Sequence, residues 1–194
     1  FDKGLEVCFG KLSAENKKTI EAIGVSGQQH GFVPLDKDGK ELYNIKLWCD
    51  TSTTEECKII TDACGGDDAV VEALGNLMLP GFTAPKVLWL KRNKPDAFAA
   101  LNYIMLPHDY LNWKLTGEYV MEDGDASGTA LFDSKKREWS KKICDIIDSG
   151  LLAKLPKLIE AHQVAGKVSV RAAAAYGIPE GIPVSAGGGD NMMG

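Results

Sequence analysis

The chain has 194 residues, with 22 Lys+Arg against 27 Asp+Glu, a formal net charge of −5 and 44% hydrophobic residues. That length suits one domain with a sizeable core, and the composition is too ordinary for a disordered chain. The mild acidic excess, with no basic run beyond residues 135–137, argues against nucleic-acid binding, and the longest uncharged stretch, residues 22–35, falls short of the about 20 apolar residues a bilayer span needs.

In chain order, the hydrophobic periodicity alternates between helix and strand, as an α/β domain requires. An amphipathic helix opens the chain and ends near Leu12. Residues 20–27 read as a buried strand that delivers Gln28, Gln29 and His30 at its C-terminal end, and residues 32–35 as a second strand. Residues 36–39 form a hairpin turn, because Asp-Gly supplies the positive φ such turns need, and residues 45–48 follow as a strand. The hydroxyls of residues 51–54 offer N-caps for a helix running to about Ala63. Further helices are predicted over 69–74, over 83–93 with Pro85 in the first turn, and over 95–101. A brief strand at 104–106 precedes a helix over 109–115 that Gly117 stops. The small polar run 123–129 reads as a turn, 129–132 as a strand and 140–147 as a helix. A helix over 167–176 ends at Gly177, its C′ residue. The last strand, 182–186, empties into Gly187-Gly188-Gly189-Asp190-Asn191. No repeat and no linker divides the chain, so one domain is expected over residues 1–194.

Five cysteines make an odd count without a C-x-x-C pair, which disfavours both structural zinc and a disulfide framework. Free thiols suit a reducing cytoplasm, and no signal peptide is visible. The three His residues are far apart in sequence and form no metal-ligand pair. A start at Phe1 and a stop at Gly194 with no closing element read as an excerpt of a longer protein.

In open α/β sheets, ligand groups collect beyond the carboxyl ends of strands. Three stretches put polar residues there: Gln28-Gln29-His30, Cys49-Asp50 and Asp190-Asn191. Each alone reads equally as a turn or helix cap, and the case for one shared ligand rests on their number. Three consecutive Gly before Asp190 let the backbone approach another group closely and leave the carboxylate uncrowded. A carboxylate so placed can act as a general base toward a hydroxyl. The spacing is neither a Walker loop nor a G-x-G-x-x-G fingerprint. The four Trp, Trp48 among them, are core residues or, beside a polar loop, a face for the carbon side of a sugar.

The runs GVSGQQHG (24–31), LWCD (47–50), PGFTAPK (80–86), LPHDYL (106–111), LTGE (115–118), DASGT (125–129) and AGGGDN (186–191) together resemble the FGGY family of carbohydrate kinases, in that family's order. Within it the resemblance is to the branch acting on D-xylulose. It implies the ribonuclease-H-like, actin-like ATPase fold, with two domains closing over a cleft and this chain as most of the first, sugar-binding domain. It also implies transfer of the ATP γ-phosphoryl group to a sugar hydroxyl with magnesium. By the family's pattern, Asp190 is the base that accepts the hydroxyl proton, and an Asp steering the nucleophile fits phosphoryl transfer generally. Asn191, Gln29, His30, Trp48, Asp50 and Gly81 match sugar-side positions. Glycerol kinases carry Arg-Glu where this chain has Gln29-His30, and a Tyr where it has Gly81, so the pocket should have room for a five-carbon sugar.

The resemblance also implies a first hairpin before Phe1 and an adenosine-binding domain after Gly194, so ATP and magnesium would find few ligands in this chain alone. The expected partners are a small sugar, D-xylulose, with neither nucleic acid nor membrane, and a homodimer is compatible with the resemblance. Two rival readings keep part of the pattern: phosphorylation of another ketose or polyol such as ribulose or glycerol, and a non-catalytic sugar-binding module.

Overall fold

Helices form here where apolar residues recur at helical spacing between residues that stop the backbone. The structure is a computed structural model that describes residues 1–193; Gly194, the last residue of the expected domain, lies outside the described residues. α1 (Asp2–Gly10) and α2 (Ala14–Lys18) open the chain, the second capped by the Ser13 hydroxyl. α3 (Thr54–Cys64), α4 (Asp67–Leu74), α5 (Thr83–Asn93) and α6 (Pro95–Ala100) follow in close succession. α7 (Pro107–Thr116) starts on a proline whose missing N–H is harmless there and ends at Gly117. α8 (Asp123–Ser127), α9 (Lys141–Ile147), a 3-10 turn over Leu151–Lys154, α10 (Val170–Tyr176) and α11 (Asp190–Met193) complete the set.

The strands are short and pair in twos. β1 (Ser26–Gly27) runs parallel to β10 (Gly188–Gly189), and β4 (Val120–Glu122) runs parallel to β7 (Lys157–Ile159). β2 (Val33–Leu35) with β3 (Tyr103–Met105), β5 (Phe132–Asp133) with β6 (Glu138–Trp139), and β8 (Val164–Lys167) with β9 (Pro183–Ser185) are antiparallel.

Burial holds these pieces in register. The largest apolar cluster joins α3, α4, α5 and α9 through Ile60, Val70, Val87, Leu90 and Ile143, and it takes in Phe32 just ahead of β2. Val33 and Leu35 of β2 instead join Met105 and Tyr110 in a separate cluster. The segment that leaves the Gln29–His30 loop is thus pinned on both sides, with about 1.5–3 kcal/mol for each fully buried large side chain. Leu115 of α7, Ala172 of α10, Val184 of β9 and Val25 form another cluster behind β1.

Several local expectations are corrected. Residues 45–48 make a single bridge, Phe32 to Lys46, and then turn, so Trp48 sits on a bend and is 57% exposed. The 123–129 run contains a helix, α8, because the Glu122 carboxylate accepts from the Gly124 and Asp125 amides and caps it. Lys167 ends strand β8; the helix waits until Ser169, whose hydroxyl caps α10. Of residues 20–27, Ile23 makes one bridge to Val184 and Ser26–Gly27 form β1. The strand expected over 129–132 starts at Phe132. Thr53 is the N-cap of α3, but its hydroxyl donates to the Pro80 carbonyl.

Candidate functional site

The site begins with the pairing of two glycine-containing strands. Ser26 faces Gly188 and Gly27 faces Gly189 in parallel register, so both strands release their chains at the same end. One continues into Gln29 and His30, the other into Asp190 and Asn191 at the start of α11. Two glycines of the run, Gly187 and Gly189, are required sterically. Gly187 has φ 73°, and a Cβ there would collide with the Val25 carbonyl oxygen; a Cβ on Gly189 would overlap the Gln29 side chain.

The two loops and the Trp48 bend enclose a cavity of about 220 Å³ lined by Gln29, His30, Trp48, Asp190 and Asn191. Asp190 is exposed at its mouth, and its Oδ1 accepts from the Asn191 amide at 3.0 Å. Two other residues singled out in the sequence lie outside this lining. Asp50 pairs with Lys46 at 2.9 Å and accepts from the Ser52 amide and hydroxyl. Burial opposes its ionised form, but the Ser52 and Lys46 hydrogen bonds outweigh that and hold its pKa at about 2. It therefore secures the bend that carries Trp48. Gly81 lies against the Trp48 carbonyl oxygen, which a Cβ would meet at 2.9 Å.

His30 is held in an unusual backbone state, φ 64°. Its Nδ1 donates to the Gly128 carbonyl at 2.5 Å, and its ring stacks on Phe82 with centroids 4.6 Å apart. With Nδ1 donating, Nε2 is the nitrogen left to accept a ligand hydroxyl when the ring is neutral. The His30 carbonyl is clamped in turn, by Lys86 Nζ at 2.9 Å and the Thr83 hydroxyl at 3.2 Å.

Residues 5–194 match the profile of the FGGY family of carbohydrate kinases, N-terminal domain. The chain belongs to the FGGY family of carbohydrate kinases. It is 48% identical over 177 residues to a xylulose kinase of Haemophilus influenzae, covering 90% of this chain and 36% of that protein. It is 40% identical over 184 residues to a xylulose kinase of Bacillus subtilis, covering 94% of this chain and 36% of that protein. The crystal structure of xylulose kinase from Rhodospirillum rubrum superposes with a TM-score of 0.89 at 25% identity, over 97% of this chain and 39% of that one. The chain thus spans about 36% of the length of these curated relatives. Its mixed α/β architecture is that of the FGGY kinases, the actin-like ATPase fold expected from the sequence.

Beneath the cavity the FGGY chain carries two buried cationic side chains to which the sequence reading gave no role. Lys86 is fully buried on α5 and donates to the carbonyls of His30 and, at 2.6 Å, Gly81. Burial pulls its pKa down to about 8. His108, fully buried on α7, has Nε2 3.0 Å from the Ala186 carbonyl and 3.3 Å from Asp109 Oδ1, while Nδ1 bonds Asp125. Burial works against a charged ring, yet the carboxylates of Asp109 and Asp125 outweigh it and lift His108 to about 9. Both residues lie in motifs already visible, PGFTAPK and LPHDYL. Nothing in either motif separates a buried cation from an exposed one.

Magnesium and ATP call for a test of fit. Asp190 and Asn191 offer too few oxygens to cage Mg²⁺ on their own, and they suit it only in a shell shared with phosphates and water. The buried His108, Asp109 and Asp125 group does not fit that ion, because both ring nitrogens already face the Ala186 carbonyl and the two carboxylates and Asp109 Oδ2 accepts from the Leu106 amide, which leaves Asp125 Oδ1 alone to ligate.

Proposed function

We propose that the intact protein transfers the γ-phosphoryl group of ATP to a terminal hydroxyl of D-xylulose, giving D-xylulose 5-phosphate and ADP, and that this chain is its sugar-binding domain. The observation that carries the reading is the convergence of Asp190 and Asn191 with Gln29, His30 and Trp48 around one cavity. At about 220 Å³ it lies below the roughly 300–1,000 Å³ of drug-sized ligand pockets, a size for one small polar molecule.

ATP supplies the phosphoryl group; the chain's residues position and deprotonate the acceptor. His30 Nε2 accepts a sugar hydroxyl, Gln29 and Asn191 bond neighbouring hydroxyls, and Trp48 packs on the carbon face. Asp190 accepts the proton as the acceptor oxygen bonds to phosphorus and the bridging bond to ADP breaks. Asp50 and Gly81 act one step away, by fixing the Trp48 bend. The identity of the relatives supports D-xylulose, as does Gln29-His30 at the sugar-side loop.

The test is ADP release by the intact protein with magnesium and ATP, against D-xylulose, L-ribulose, glycerol and gluconate. Strong preference for D-xylulose is expected. Preference for another acceptor would keep the chemistry and overturn the substrate, and silence with all four would favour a binding module.

A further inference from the structure

The two site loops share one buried neighbour at their root, the His108 side chain. The His108 side chain sits beside the end of β1 and the entry of β10: a Cβ on Gly27 would come within 2.8 Å of His108 Cβ, and one on Gly187 within 3.3 Å of its Cδ2. Nε2 faces a carbonyl oxygen, that of Ala186, and Nδ1 faces a carboxylate oxygen of Asp125. A carbonyl and a carboxylate oxygen are acceptors, whereas a neutral imidazole carries a single N–H. Bonding on both sides therefore calls for two ring protons. The surroundings agree. Asp109 approaches from α7 itself, Asp125 from α8, and Glu122 stands at the α8 cap, while Asp125 Oδ1 is buried with no partner among the described residues. From Asp125 the bonding runs on to the sugar side: its carbonyl accepts from the Gly128 amide at 3.1 Å, and the Gly128 carbonyl accepts from His30 Nδ1. From Ala186 it runs through the glycine strand to Asp190.

We propose that His108 is a positioning residue, held as an imidazolium, that ties residues 186–190 to residues 125–128 and so fixes Asp190 relative to His30. The catalytic consequence rests on the kinase reading above; the positioning itself does not.

Hydrogen exchange read by mass spectrometry on the intact protein tests the tie directly. In His108→Gln at pH 7, amides in 186–191 and 28–31 should exchange at least about tenfold faster, while α3 and α5 keep wild-type rates. Unchanged protection in 186–191, or a uniform loss across the protein, would overturn the proposal. If that variant does not fold, ring-nitrogen NMR of wild-type protein labelled in histidine decides. Two protonated nitrogens on His108 at pH 7.5 support the proposal, and one bare nitrogen sinks it. In turnover, wild-type kcat should fall at alkaline pH as the ring gives up its second proton, and His108→Gln should lower kcat at least about tenfold and lack that fall; a retained wild-type limb counts against the tie. Should the intact protein phosphorylate no sugar, the kinase reading fails, and the exchange and NMR measurements still judge His108.

Discussion

Asp190 stands exposed at the cavity mouth with its Oδ1 bonded to the next amide, so replacing its carboxylate by an amide changes chemistry more than shape. Asp190→Asn should lower kcat by about 10²–10⁴-fold, the usual worth of a positioned base, while sugar affinity measured by calorimetry stays within a few fold. His30→Ala should do the reverse, weakening sugar binding about tenfold, as losing one hydrogen bond does, with a smaller change in kcat. A full-rate Asp190→Asn enzyme would remove Asp190 from the base role. Lys86 acts at one remove from the sugar. Lys86→Met keeps the buried methylenes but strips the Gly81 carbonyl of its donor and leaves the His30 carbonyl to Thr83 alone. An unsatisfied buried acceptor costs about 1–3 kcal/mol, so the unfolding midpoint should drop and sugar KM should rise several-fold with kcat less affected. An unchanged KM would mean that the loops hold their shape without the lysine.

At the scale of elements, the site depends on β1 and β10 lying side by side. Gly187→Ala would force a left-handed residue, at about 1–2 kcal/mol, and drive its Cβ into the Val25 carbonyl that anchors the strand pairing. Both kcat and sugar KM should worsen together, because Asp190 and Gln29 leave from the two paired strands; kinetics alongside a thermal melt check this, and a melt shift without kinetic change would contradict it. Helices such as α5 and α7 were legible because periodicity, an early proline or a closing glycine agreed along ten or more residues. β6, β7 and β8 were not, since strands of two to four residues cannot display a two-residue period, and Lys167 is claimed for β8 only through pairing with Pro183. The cavity lining was legible in Gln29, His30, Asp190 and Asn191 as polar residues beyond strand ends and in Trp48 by the family resemblance, which also pointed to Asp50 and Gly81 outside it. Its supports were not: a buried Lys86 or His108 has the same letter as an exposed one, and only tertiary packing tells them apart.

For the whole molecule, the buried charges make stability depend on pH in a window that can be named. His108 is lifted from its ordinary 6.5 to about 9 by Asp109 and Asp125 acting against burial, so the folded protein keeps a proton that the unfolded chain releases above pH 6.5. Its contribution is complete below pH 6.5 and is lost as pH rises through about 9. Lys86 has the opposite sign. Its pKa is drawn down from 10.5 to about 8, and the folded state therefore gains relative to the unfolded one as pH climbs from about 8 to 10.5. Below pH 8 Lys86 is protonated in both states and contributes no slope. Between pH 6.5 and 8, then, His108 sets the slope, and its one proton retained on folding gives up to about 1.4 kcal/mol per pH unit. Urea unfolding of the intact protein at intervals across pH 6.5–8 should show the midpoint falling steadily. The fall should flatten above pH 8 in wild type, and it should be reduced throughout the lower window in His108→Gln. A midpoint that is level from pH 6.5 to 8 in wild type would show that His108 does not keep its second ring proton.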